Sequence, residues 1–95
     1  MTGSNINMYF VYILHLAKTN QLYTGSTSNL DIRLKNHLNN KVPSTKYKNP
    51  VLIHHEVYKL KTDALRREKF LKTTEGKRLL RQQIRDILKQ IKYIY

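Results

Sequence analysis

The chain has no cysteine, no tryptophan, three glycines and two prolines among 95 residues, and only six acidic side chains against eighteen basic ones. Each shortage excludes something. Without cysteine there is no disulfide framework and no thiolate metal site, which suits a reducing cytosol. Apolar runs last only a few residues, too short to span a bilayer, and the first residues show no secretory pattern. A cytoplasmic protein without a membrane segment is expected. Zinc spacing, a nucleotide-cradling glycine loop and a serine-hydrolase elbow are all missing, as are internal repeats and low-complexity tracts.

What is present has the balance of a folded domain: 40% hydrophobic and 25% charged residues. A chain this short forms one domain and buries about 60–65% of the surface its unfolded form exposes. Its net charge of +12 favours polyanions, DNA or RNA before anionic lipid. Charge alone indicates phosphate binding, not cleavage.

"MYFVYILHL" (8–16) is rich in β-branched and aromatic residues, and "LYTGS" resumes that character after the turn-forming "AKTNQ", so the two predict a β-hairpin. Gly25 offers a sharp exit or a close backbone approach. Thr27, Ser28 and Asn29 are candidate caps for a helix carrying Leu30, Leu34 and Leu38 at i, i+4 and i+8. "VLIHHEVYK" (51–59) predicts a third strand, with Leu52, His54, Glu56 and Tyr58 on one face. Thr62 or Asp63 would cap a second helix, Gly76 marks a weak point, and a long helix follows from Lys77. The expected fold is α+β, a three-stranded, mainly antiparallel sheet flanked by helices in the order β-β-α-β-α-α. Residues 1–7 are expected to be a flexible leader, 8–80 the domain, and 81–95 an amphipathic helical extension of it. Leu80, Ile84, Ile87, Ile91 and Ile94 form a coiled-coil-like seam that packs back on the domain in a monomer, with dimerisation through it as the alternative.

Several polar residues face the wrong way. Arg33 and His37 share the leucine face of the first helix, and Glu68 lies within the arc of Ala64 and Leu65 on the second. A carboxylate there needs a partner or a cation. A structural Arg33–Glu68 salt bridge with His37 as a neighbour is one solution. The other adds Tyr12 and Tyr23 from the hairpin, giving a set suited to phosphodiester hydrolysis. In it Glu68 holds a hard divalent cation, Arg33 grips the phosphate, and a tyrosine or His37 takes a proton from water.

The order of these residues resembles the GIY-YIG nuclease domain. The name-giving motifs stand as Phe10-Val11-Tyr12 and Tyr23-Thr24-Gly25, with the tyrosines eleven positions apart. Arg33 follows ten residues after Tyr23, His37 comes one turn later, and Glu68 lies in the helix after the third strand. The compact bacterial single-domain members, similar to the nuclease half of excinuclease C, are the nearest type. The resemblance implies DNA hydrolysis with one Mg²⁺ or Mn²⁺, Glu68 as its protein ligand, and Arg33 stabilising the phosphate. It implies Tyr12 as general base, relayed through His37, and Tyr23 as the positioning phenol, roles that can be exchanged. Phe10 replaces the family's first glycine, Ser26 stands where several members carry lysine, and Lys72 or Lys77 takes the place of a downstream asparagine.

Lys46 and Lys48 flank Tyr47 in a polar loop, and Arg67 and Lys72 lie around Glu68. These four cations are the expected DNA contacts. His54 and His55 are adjacent on a strand, face opposite ways and cannot chelate one ion together. The reading is a structure-selective DNA endonuclease, with RNA an open substrate. A non-catalytic nucleic-acid-binding module on the same scaffold is the alternative.

Overall fold

The computed structural model describes residues 7–94, so all but the last residue of the expected leader lies outside the described residues. The elements are β1 (Tyr9–Leu16), β2 (Gln21–Thr27), α1 (Leu30–Leu38), a 3₁₀ turn (Pro43–Thr45), β3 (Pro50–Tyr58), α2 (Lys61–Leu71), α3 (Thr74–Gln83) and α4 (Arg85–Gln90). The sheet order is β2-β1-β3 and both pairings are antiparallel. This is the α+β arrangement the sequence predicts.

β1 holds the centre because both of its faces are apolar. Val11 and Ile13 join Ala64, Leu71, Leu80 and Leu88 in the core under α2, α3 and α4. Tyr12, Leu14 and Leu16 face the other way, against Leu30 and Leu34 of α1 and Leu52 of β3. Each fully buried leucine in these layers stabilises the fold by roughly 1.5–3 kcal/mol.

Four local expectations are corrected. The register between β1 and β3 shifts between Ile13 and Leu14, so His54 pairs with Ile13 while Leu52 pairs with Leu14. The extra residue, Ile53, packs into the α2 side, and Leu52 therefore lies on the face opposite His54. Leu38 is 64% exposed, because the inward place of the last α1 turn belongs to His37. α2 begins after Leu60 without a side-chain cap, and Asp63 in its first turn instead pairs with Arg66.

The fourth correction concerns Gly76, which sits inside α3, where Thr73 caps the helix by accepting from the Gly76 N–H at 3.0 Å. Its bareness serves close packing: a β-carbon there would lie 1.9 Å from the Phe70 carbonyl oxygen. The helical tail breaks at Ile84, not Gly76, and bends back over the sheet as α4. Leu80 and Ile84 are buried and Ile87 and Ile91 pack beside them, whereas Ile94 is 82% exposed.

β3, α2 and α3 are also joined by a polar network. Arg67 donates to both oxygens of Glu56, at 2.9 and 3.1 Å, and to Gln83 Oε1 at 3.1 Å. Tyr58 and His54 donate to the same carboxylate. Burial opposes the charge on Glu56, but the hydrogen bonds from Arg67, His54 and Tyr58 outweigh it and hold the carboxyl at about 2. Since this folded value is below the ordinary 4.5, the stabilisation is complete above about pH 4.5 and is lost as pH falls toward 2. The difference corresponds to on the order of 3 kcal/mol. Urea melts at pH 7 and pH 3 are expected to differ by more than half of that in the wild type, and by much less in Glu56→Gln.

Candidate functional site

β2 is an edge strand, and the site is built around it. Tyr23 and Gly25 stand opposite Leu14 and Tyr12, on the α1 face, while Ser26 stands opposite Val11, on the α2 face. Gly25 lets the Tyr12 ring lie flat over the strand: a β-carbon there would be 2.5 Å from the phenol oxygen. The glycine is thus required for close approach, and β2 continues past it to Thr27.

α1 starts at an Asn29 cap, whose Oδ1 accepts from the Ile32 N–H at 3.1 Å. That start sets the phase that turns Arg33 and His37 toward the sheet. Arg33 Nε donates to the Tyr12 oxygen at 3.3 Å, and the same phenol lies 2.8 Å from His37 Nε2. His37 Nδ1 lies 2.7 Å from Thr45 Oγ1, which donates onward to the Val42 carbonyl at 3.5 Å. Burial foremost, with the Arg33 charge second, lowers His37 to about 4, so its ring is neutral near pH 7. The network then assigns one direction: Tyr12 O–H donates to Nε2, and Nδ1–H donates to Thr45. Burial pushes the Tyr12 phenol up to about 12 despite the Arg33 hydrogen bond, with Tyr23 and Glu68 adding to the rise. Tyr23 packs edge-on against His37, ring centroids 5.2 Å apart, and is only partly buried.

Glu68 approaches from the other side of the strand. Its Oε1 accepts from Ser26 Oγ at 2.5 Å and its Oε2 from Lys72 at 2.9 Å. The structure therefore brings Tyr12, Tyr23, Arg33 and His37 into one cluster and sets Glu68 around the strand edge, close enough for its charge to act on Tyr12. Among the described residues the Arg33–Glu68 salt bridge does not form, since Arg33 is tied to Tyr12 and Glu68 to Ser26 and Lys72.

Of the four cations expected to touch DNA, Lys46 is exposed in the loop and Lys48 is partly buried there. Lys72 pairs with Glu68, and Arg67 is engaged by Glu56 and Gln83. Two contacts are not predicted by the sequence, Ser26 with Glu68 and Thr45 with His37. Ser26 had a signal, because strand alternation turns it away from Gly25 toward the carboxylate side. Thr45 had none, since its contact with His37 depends on how a loop folds back.

Among the described residues no three His, Cys, Asp or Glu side chains gather as a metal-binding group. Glu68 nonetheless suits a hard divalent ion that keeps most of its water and takes one or two carboxylates. Each oxygen already accepts one hydrogen bond and retains a further lone pair. Lys72 is a 57% exposed ion-pair partner, able to swing away at little cost.

On this small α+β fold the edge strand β2 thus separates a phenol–guanidinium–imidazole cluster from the Glu68 carboxylate. The chain belongs to the GIY-YIG catalytic domain family, whose model matches residues 8–81. It is similar to UPF0213 protein SH2523 of Staphylococcus haemolyticus (strain JCSC1435), 40% identical over 67 residues that cover 68% of this chain and 80% of that relative. No solved structure matches the chain. Among the described residues no helix is long and apolar enough to cross a membrane.

Proposed function

We propose that the protein is a divalent-metal-dependent endonuclease that hydrolyses DNA phosphodiester bonds, acting in the cytoplasm in DNA repair or processing. The observation that carries this reading is the anchored Arg33, held at Nε by a buried phenol beside the partly exposed Tyr23, with Glu68 just around the strand edge.

Arg33 is the phosphate-binding group. Its charge is reinforced first by the Tyr12 hydrogen bond, and a guanidinium fixed at one nitrogen offers a preset fork to phosphate oxygens. Glu68 would hold Mg²⁺ or Mn²⁺, which when bound supplies Lewis acidity against the charge developing on the phosphate.

The two phenols separate by burial. Tyr12 is 0% exposed and hydrogen-bonded on both sides, so no water can reach it, and its raised pKa opposes a phenolate. We therefore exchange the roles suggested by resemblance. Tyr23, partly exposed, first gives its own proton to solvent and as the phenolate accepts that of the attacking water, while Tyr12, His37 and Thr45 form the rigid backing that positions Arg33. The cations near the site, Lys46, Lys48 and Lys72, track the backbone and read no base, so selection is by DNA structure: flaps, nicks, branches or single strands.

Nicked, flapped, single-stranded and duplex DNA are to be incubated with the purified protein in Mg²⁺, Mn²⁺ or EDTA. Cutting with either metal and none with EDTA is expected, strongest on the discontinuous substrates. Binding without cutting under every metal condition would make the protein a nucleic-acid-binding module instead.

A further inference from the structure

The loop between α1 and β3 carries a side chain that the fold does not use. Tyr47 is 63% exposed, so its ring contributes little to any core. Its backbone also adopts φ 61°, a left-handed conformation that asparagine or glycine enters far more easily than a bulky aromatic residue. Asn40 holds it there, its Oδ1 accepting from the Tyr47 N–H at 3.0 Å. The ring thus stands out from the surface at a conformational cost that burial does not offset.

Its surroundings indicate what it serves. Lys46 places its ammonium 5.2 Å from the ring centroid, and Lys48 follows on the other side in sequence. Two positions before Tyr47, the fully buried Thr45 locks the loop to His37. Two residues of chain span at most about 7 Å, so the Tyr47 backbone lies close to Thr45, the last member of the hydrogen-bond run behind Arg33. We infer that Tyr47 is a stacking platform for an unpaired nucleobase adjoining the bound phosphate, with Lys46 and Lys48 holding the flanking backbone. This rests on the nucleic-acid reading above and specifies its substrate: a strand with at least one unstacked base. Within a duplex both faces of each base are covered by neighbours, so a protruding ring has nothing to stack on.

Asparagine at this position removes the ring yet suits the left-handed backbone, so Tyr47→Asn is expected to melt no lower than the wild type. Affinities for single-stranded DNA bearing 2-aminopurine, and for the matching duplex, are to be compared in the wild type, Tyr47→Asn and Tyr47→Phe. Wild type and Tyr47→Phe should quench 2-aminopurine at one position. Tyr47→Asn should lose that quenching and bind the single strand roughly tenfold more weakly, with duplex affinity unchanged. Single-strand affinity and quenching preserved in Tyr47→Asn would overturn the platform while leaving DNA binding standing. A wild type that binds neither form would remove the nucleic-acid reading, and the platform with it.

Discussion

Glu68→Gln is expected to reduce cleavage of flapped or nicked DNA by roughly a thousandfold or more, because it removes the carboxylate proposed to hold the cation beside the Arg33 cluster. DNA affinity should persist. The amide oxygen can still accept from Ser26, so the contact around the β2 edge survives the change. What is lost structurally is the half-exposed pair with Lys72, and such pairs contribute about 0–1 kcal/mol. Cleavage rates, gel-shift affinities and melting curves on the same preparations separate these effects. Equal cutting by both proteins would assign the activity to a contaminant and end the metal-site assignment.

Gly25→Ala tests the other half of the site. The new methyl would fall 2.5 Å from the Tyr12 oxygen and 2.6 Å from the ring carbon that bears it. A surface tyrosine would swing aside, but this ring is fully buried and held by Arg33 and His37. Any movement that relieves the clash breaks the run of hydrogen bonds from Arg33 to Thr45. We expect stability to fall by about 1–3 kcal/mol, as for other overpacked interiors. Cleavage should fall by roughly a hundredfold or more at temperatures where the variant remains folded, because Arg33 loses its anchor. A folded variant with unchanged kcat would show that the Tyr12 position does not matter to chemistry, and the backing role would be withdrawn.

The legibility of this protein depended on how local each feature is. β1 was readable because a run of alternating aromatic and branched residues needs only its own neighbours to define a strand. The inward turn of Arg33 and His37 was readable from helical spacing alone. Leu38 obeys the same spacing and still points to solvent, because His37 takes the last inward position through its bonds to Tyr12 and Thr45. The β3 faces were misassigned for a related reason. Period-two alternation assumes an unbroken ladder, and the extra residue at Ile53 reverses the sides beyond it. Gly76 marks a weak point when only its helix propensity is considered, whereas its missing side chain admits the Phe70 carbonyl at the α2–α3 corner.

The order of the name-giving motifs carries the GIY-YIG resemblance. Composition and spacing by themselves determined that this is a small basic α+β domain and that Arg33, His37 and Glu68 break the apolar faces of their helices. Those properties follow from total charge and from the two periods of helix and strand, both of which act over a few residues. Pairing was left to the tertiary structure: Arg33 goes to Tyr12 and not to Glu68, Ser26 carries the link to Glu68, Thr45 fixes His37, and one tyrosine is sealed while the other stays open. These depend on distances between elements far apart in the chain, set by β2 lying at the sheet edge and by a glycine that lets a ring rest upon it.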